Sequence, residues 1–314
     1  MKPFLSSPVR WPLEAIWQAV EPGLPGFTAE VLPSIDSTNT ELLRRLKGNA
    51  PSPASLCNIE PHPEPSLLVA EQQTAGRGRL GRSWLSQRGD SLTFSLGLLL
   101  QPVDWSGLSL VVGISLAESL EPLDKQGQGC GVTRRIGLKW PNDLWLAGDN
   151  SDNSEKGQKG QPHYSKLAGI LVETASWEGL RYVVIGVGIN IRALQLPAQA
   201  STDSANTSAT LALPPTAPVP PGYLQALQPE LDAAQTLLRV VPPLVQAVQA
   251  FEQFGFAPFQ ARFARRDVLS GQAVALSDGT FGTACGVGEN GALLVHTLAG
   301  MKEITSSEVS VRPC

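Results

Sequence analysis

Seven residues, Gly76-Arg77-Gly78-Arg79-Leu80-Gly81-Arg82, combine three glycines with three arginines. Glycine lets backbone amides approach a ligand closely and each guanidinium presents a fixed fork of donors, so the run reads as an anion-binding loop. A solvated basic loop is the plain alternative. The same letters satisfy G-x-G-x-x-G, but a dinucleotide site needs a helix directly after the turn. Here Trp84 and the turn-like Gln87-Arg88-Gly89-Asp90 lead into an apolar strand candidate, so the context is wrong for NAD. A kinase glycine loop fails too, because no H-R-D or D-F-G follows.

Downstream, Leu138-Lys139-Trp140-Pro141-Asn142-Asp143-Leu144-Trp145 sets an amine, an amide and a carboxylate beside a proline that fixes the local backbone. A nucleotide needs such variety: amides for the base, a cation for phosphate, a carboxylate for a metal or a ribose hydroxyl. A Pro-Asn-Asp turn is the structural alternative. Lys166 opens the apolar run KLAGILVE, where an amine can meet an anion at a strand end or snorkel as an ordinary surface lysine. Two glycines in VIGVGINI, residues 184–191, weaken a strand and point to a ligand or backbone lying against it, or to a bulge. Ser37-Thr38-Asn39 is either a helix cap or a set of donors and acceptors for a small polar ring. His62, His163 and His296 have neither metal-ligand spacing nor a Ser-His-Asp arrangement. Positioning and charge stabilisation by Arg, Lys and metal remain as the chemistry, which suits nucleotidyl transfer.

These residues need elements to hold them. Thr38 and Glu41 have capping-box spacing before Leu42, Leu43 and Leu46, and Gly48 closes that short helix. Residues 49–65 read as a surface loop, Ser66–Ala70 as a strand, and EQQTAGRGRLGRSW after it has no period. Ser91–Leu100 reads as a strand and Leu108–Leu120 as a buried helix. Gly137–Trp140 and Asp143–Leu146 bracket a Pro-Asn kink. Leu167–Glu173 and Arg181–Ile191 are strands around a turn at Ser176–Gly179. A helical pattern at Leu244, Val245, Val248, Phe251 and Phe254 breaks at Gly255 and Pro258. From Val268 onward short strands alternate with turn signals at Asp278-Gly279, Asn290-Gly291 and Ala299-Gly300. The polar stretch 147–165 and the Ser/Thr/Ala/Pro-rich stretch 198–222 are expected to be flexible inserts.

At 314 residues the chain can bury a substantial core, which excludes a disulfide-stapled miniprotein. A net charge of −4 gives no global attraction to nucleic acid or anionic lipid, so an anion site must be local. Cys57, Cys130, Cys285 and Cys314 lie far apart without C-x-x-C spacing and read as reduced intracellular thiols. No signal-peptide core and no stretch near the ~20 apolar residues of a membrane span occur, so the cytoplasm is the expected compartment.

Five motifs in order, STN at 37–39, GRGRLGR at 76–82, KWPND at 139–143, KLAGILVE at 166–173 and GVGIN at 186–190, closely resemble those of bacterial biotin protein ligases. The resemblance spans Asp36 to about Arg266, and the terminal β segment resembles that family's SH3-like domain. It implies an α+β fold: a mixed sheet flanked by helices, akin to class II synthetases, over residues 1–266, and a small SH3-like β-barrel over 267–314. It also implies a two-step reaction. Biotin and ATP give biotinyl-AMP and pyrophosphate, and a lysine of a carrier protein then attacks the mixed anhydride. The implied carrier is the biotin carboxyl carrier protein of acetyl-CoA carboxylase, with Mg²⁺ on the phosphates and a homodimer allowed.

Carried over residue by residue, Ser37, Thr38, Asn39 and Gln73 meet the ureido end of biotin with Arg77, Gly78, Arg79, Gly169 and Gly186. Lys166 sits at the biotin carboxyl and α-phosphate and, with Arg79, is the expected catalytic pair. Arg82, Trp84, Lys139, Asn142, Asp143 and Asn190 face ATP or the adenylate, Trp84 covering adenine. No protein metal ligand is assigned. Residues 75–85 are expected to be mobile without ligand and to order over it. About 35 residues precede the STN motif, too few for the winged helix-turn-helix of the repressor members, so DNA binding is expected to be absent. The nearest rival is a lipoate or octanoate transferase of the same fold, against which the polar Ser37, Thr38 and Gln73 argue. A non-catalytic interaction module is the rival from another class.

Overall fold

The computed structural model describes residues 9–48, 63–121, 135–148, 163–193, 219–305 and 311–313. The centres of both expected inserts, residues 149–162 and 194–218, lie outside the described residues. So do residues 49–62 of the expected loop, His62, Cys57, Cys130 and Cys314.

Helix α1 (Leu13–Val20) leads through β1 (Thr28–Leu32) and α2 (Thr38–Gly48) to β2 (Ser66–Ala70). A two-stranded ribbon, β3 (Gly76–Arg77) and β4 (Ser83–Trp84), precedes β5 (Ser91–Leu99). Helix α3 (Leu108–Leu120) is followed by the hairpins β6 (Ile136–Lys139) with β7 (Asp143–Ala147), and β8 (Tyr164–Trp177) with β9 (Leu180–Asn190). Helices α4 (Ala233–Phe254) and α5 (Gln260–Ala264) complete this part. Its seven strands form one sheet in the order β1-β2-β5-β9-β8-β7-β6. Only the β1–β2 pair is parallel among these neighbours, so the sheet is mixed, as expected.

Alternation along β5 explains the layering. Phe94, Leu96 and Leu98 point into the main core with the apolar faces of α1, α3 and α4, whereas Thr93, Ser95 and Gly97 point the other way. On that second face α2 covers one end only, packing Leu42 and Leu46 on Leu68, Tyr182 and Val184. The rest of the face is left for a site. Helix α3 is buried over most of its circumference, as a helix sandwiched between the sheet and α4 must be, and Glu118 near its end pairs with Arg262. The β8–β9 turn has Glu178 and Gly179 at φ 48° and 83°, the mirror-image turn that matches strand twist.

Three expectations are corrected. The α2 cap is one residue earlier: the Thr40 amide donates to Ser37 Oγ at 3.4 Å, and Glu41 pairs with Arg44 and Arg45 instead of closing a capping box. Helix α4 begins eleven residues before Leu244, because Asp232 and Gln235 form a reciprocal capping box and the buried Leu237, Val240 and Val241 outweigh the breaks at Pro242 and Pro243. The apparently aperiodic stretch after β2 contains the β3–β4 ribbon, too short for any period to show.

The terminal strands β10 (Ala273–Leu276), β11 (Phe281–Val287), β12 (Leu293–Thr297), β13 (Gly300–Ile304) and β14 (Val311–Pro313) form an antiparallel sheet. Their order is β13-β12-β11-β10-β14. Among the described residues β13 and β14 are its two edges and do not pair, so the expected barrel is an open sheet here: closure would need those edges bonded. The sheet is tied to the rest of the fold. Arg266 donates to Glu121 Oε2 at 2.6 Å and to Ile136 O at 2.8 Å, and residues 266–268 bond along the free edge of β6. Trp140, fully buried, donates its indole N–H to Gly291 O at 3.0 Å.

Candidate functional site

A cleft holding about 920 Å³ of empty space opens on the uncovered face of the large sheet. Four segments converge on it. The start of α2 supplies Ser37, Thr38 and Asn39; the ribbon and its approach supply Gln73, Arg77, Gly78, Arg79, Arg82 and Trp84. The β6–β7 turn supplies Lys139, Asn142 and Asp143, and β8 with β9 supplies Lys166, Gly169 and Gly186. All the sequence-predicted site residues but one therefore line a single cavity. The exception is Asn190, which lies behind the wall and donates from Nδ2 to Lys166 O at 3.1 Å, bracing the strand that carries the lysine.

Lys166 occupies a β-bulge. Leu144 pairs with Ala168 but Trp145 pairs with Lys166, so Leu167 is the extra residue and the local kink re-aims its neighbours. Lys166 Nζ consequently reaches Asp143 Oδ1 at 2.7 Å and stands 5.8 Å over the Trp84 ring. Lys139 is half-buried, with its Nζ 5.3 Å from the centre of the Trp145 ring. Burial pushes its ammonium pKa down to about 8, with Lys166, Arg82 and Arg79 pushing the same way and Asp143 opposing. Burial likewise lowers the Arg79 pKa, and its Nη1 lies 3.5 Å from Asn142 Oδ1. Asn142 itself is fixed by donating from Nδ2 to Ile170 O at 2.8 Å. The wall is thus strongly cationic, with Asp143 as its carboxylate.

The glycines do a different job from the one their sequence suggested. Strand β9 runs in unbroken register with both neighbours, so it has no bulge. Gly188 and Gly169 face each other across the β9–β8 pair, and the Trp84 indole lies on them: a Cβ at Gly188 would stand 2.4 Å from Trp84 Cε2, and one at Gly169 3.3 Å from Cζ3. At Gly186 a Cβ would meet Asn39 Oδ1 at 2.2 Å. Side chains of this protein, rather than backbone, lie against the strand. The Trp84 Nε1 hydrogen is buried and has no hydrogen-bond partner among the described residues.

The sequence reading missed Ser95, Gly188, Glu173 and Val311. Ser95 Oγ is within 2.6 Å of both Thr38 Oγ1 and Asn39 Oδ1, and the small polar alternation Thr93-x-Ser95-x-Gly97 was its signal. Val311, from β14, reaches the same cleft and makes the terminal sheet part of its lining. No group of three or more His, Cys, Asp and Glu side chains suited to a metal occurs among the described residues.

Comparison with known proteins agrees with this architecture. The Biotin/lipoate A/B protein ligase family profile matches residues 31–190, just over half the chain, and the biotin protein ligase C terminal domain matches residues 269–312. The bifunctional ligase/repressor BirA of Escherichia coli is 32% identical over 295 residues, covering 92% of this chain and 75% of that protein. The biotin--[acetyl-CoA-carboxylase] ligase of Paracoccus denitrificans is 28% identical over 283 residues, covering 89% and 98%. In three dimensions the biotin protein ligase of Aquifex aeolicus, solved with biotin and ATP, superimposes with a TM-score of 0.61 at 27% identity, covering 91% of this chain and 99% of that one. The order of the motifs, the mixed sheet that gathers them and the matching terminal sheet lead to one conclusion: the chain belongs to the biotin/lipoate A/B protein ligase family and carries the C-terminal domain of its biotin protein ligases.

Proposed function

We propose that this cleft joins biotin to ATP and then passes the biotinyl group to a lysine of a carboxylase's biotin carboxyl carrier protein. The observation that carries the proposal is the convergence of cations from three separate segments, Arg77, Arg79 and Arg82, Lys139, and Lys166, on one concavity. A carboxylate and a polyphosphate repel each other by roughly 4 kcal/mol per close charge pair at an effective dielectric near 20, and such a wall offsets that cost. The polar floor of Ser37, Thr38, Asn39, Gln73 and Ser95 suits a ureido ring better than the aliphatic chain of lipoate or octanoate, and the relatives named as biotin ligases support the same choice.

In the first step a biotin carboxylate oxygen bonds to the α-phosphorus as the bond from that phosphorus to the bridging oxygen breaks, releasing pyrophosphate. Lys166 and Arg79 neutralise the carboxylate and the α-phosphate, while Arg82 and Lys139 face the departing phosphates. In the second step a carrier lysine amine attacks the carbonyl carbon, AMP leaves and the amine loses a proton. Asp143 and Asn142 would hold the Mg²⁺ that accompanies a nucleotide: one carboxylate plus substrate phosphates is an ordinary donor set for that ion, which supplies further charge neutralisation. Trp84 would cover the adenine, its unpartnered Nε1 hydrogen still available. Residues 75–85 would order over the adenylate and keep water from it. A catalytic unit over 1–266 and a terminal β unit over 267–314 form the proposed division, supported by the separate profile match that begins at residue 269. Among the described residues no helix is long and apolar enough to cross a membrane. The proposal places the chain in the cytoplasm, gives it no DNA-binding role and allows a homodimer.

The test is to incubate the purified chain with labelled biotin, ATP, Mg²⁺ and a carrier domain. Covalent label on the carrier lysine, absent without ATP, is the expected result. Label from lipoate or octanoate with none from biotin would overturn it.

Lys139 gives the cleft a pH signature. Its folded pKa of about 8 lies below the 10.5 of an ordinary lysine, so between those values the unfolded chain holds a proton that the folded one has released. Burying the charge costs stability below pH 8, and that cost is relieved as pH climbs towards 10.5. Anionic phosphates raise the pKa again, so nucleotide binding near pH 8 is expected to take up a proton and weaken as pH rises further. Calorimetry in buffers of different ionisation enthalpy measures this; K139M should abolish the uptake, and no uptake by the parent chain would refute the assignment.

A further inference from the structure

The polar groups on the floor of the cleft form one chain of hydrogen bonds, and it ends on a carboxylate. Ser95 Oγ lies 2.6 Å from both Thr38 Oγ1 and Asn39 Oδ1. Its single proton goes to the amide oxygen, which has none, and the Thr38 hydroxyl, with one proton of its own, is shared between Ser95 Oγ and Gln73 Oε1 at 3.2 Å. Asn39 Nδ2 then faces the other way, donating to Leu171 O at 3.2 Å and Glu173 Oε2 at 2.8 Å. Both oxygens of Glu173 accept from Arg77 Nη2 at 3.1 Å, and Arg77 is half of the β3 strand of the ribbon.

On the reading above that the cleft binds biotin, we infer that Glu173 is its positioning residue, one carboxylate that seats the ribbon through Arg77 and fixes the orientation of the Asn39 amide. A carboxylate offers only acceptors, so two donors arriving from α2 and from β3 are both satisfied and the amide cannot turn over. An exposed Arg–Glu pair alone contributes little, and the Arg77 side chain is 47% exposed. The shared acceptor is what links it to the floor: when the ribbon is seated, Glu173 is fully engaged and Oδ1 of Asn39 is locked towards Ser95. Gly186 makes room for that lock, since a Cβ there would collide with Asn39 Oδ1.

E173Q tests this, because glutamine keeps the shape but offers one oxygen to two donors and turns an NH₂ towards one of them. Two readouts decide: trypsin cleavage after Arg82 in the ligand-free protein, and the split between KM for biotin and kcat in biotin-dependent pyrophosphate release. Both cleavage rate and KM should rise about tenfold, the loss of one charge-assisted hydrogen bond, with little change in kcat at saturation. A merely structural residue would lower Tm and leave both alone; an unchanged KM or an unchanged cleavage rate overturns the inference. Should E173Q fold poorly, R77A removes the other end of the bridge without touching Asn39 and must speed cleavage by the same factor, the double variant adding nothing further. Multiplying effects overturn the coupling. If the parent chain releases no pyrophosphate, the biotin reading falls while the cleavage comparison still decides on Glu173.

Discussion

K166A is expected to lower biotin-dependent pyrophosphate release by about a hundred- to a thousand-fold, the usual effect of removing one preorganised group from a developing negative charge. The side chain projects from a bulge in β8, is held 2.7 Å from Asp143 and crosses the Trp84 ring, so it is already oriented in the cleft where the reaction is proposed to occur. Its removal also takes away the ion-pair partner of Asp143, leaving that carboxylate to Arg79 and Lys139 alone. A third of the side chain reaches solvent, so the effect on folding should stay within about 1 kcal/mol. The measurement is single-turnover adenylate formation beside thermal melting. A rate within a few fold of the parent at an unchanged Tm would remove Lys166 from the mechanism.

G188A should do comparable damage through shape alone. The added methyl would stand 2.4 to 2.7 Å from three atoms of the Trp84 indole, and one partner has to move. Strand β9 is bonded on both sides along its length, whereas β4 is held in the ribbon by two residue pairs. The ribbon therefore gives way. Overpacking of this kind costs about 1–3 kcal/mol, here expressed as a tenfold or larger rise in KM for nucleotide with circular dichroism unchanged. The W84A/G188A double variant should be no worse than W84A, since the collision is gone. A double variant that is worse by the full factor of G188A would show that the glycine acts on something other than Trp84.

How far the sequence could be read depended on how locally each feature is determined. Helix α3 was legible to the residue because apolar residues dominate it and it is bounded by Gly107 and Glu121. Four strands of the large sheet were legible from alternation or apolar runs. Helix α4 was half hidden, because Pro242 and Pro243 are local signals against a helix that only tertiary burial overrides. In the cleft, residues whose own charge marks them, such as Lys166, Lys139 and the three arginines, announced themselves by type. Ser95 and Gly188 did not: each matters for what another segment lays on it, Asn39 in one case and Trp84 in the other. Cross-strand neighbours are invisible until the register is known. Glu173 stood inside a quoted motif without a role for the same reason, since its partners come from residues 39 and 77.

The seam between the two sheets carries one last implication. Residues 266–268 bond along β6, and Trp140, between Lys139 and the turn that bears Asp143, is anchored on Gly291. A chain cut before 266 would bare a row of unpaired backbone groups beside a buried tryptophan, an open template for self-stacking. The tail thus acts as a guard for the sheet and a brace for the turn that carries Lys139 and Asp143, and changes made there will be felt in the cleft through that turn as well as through Val311 in its lining.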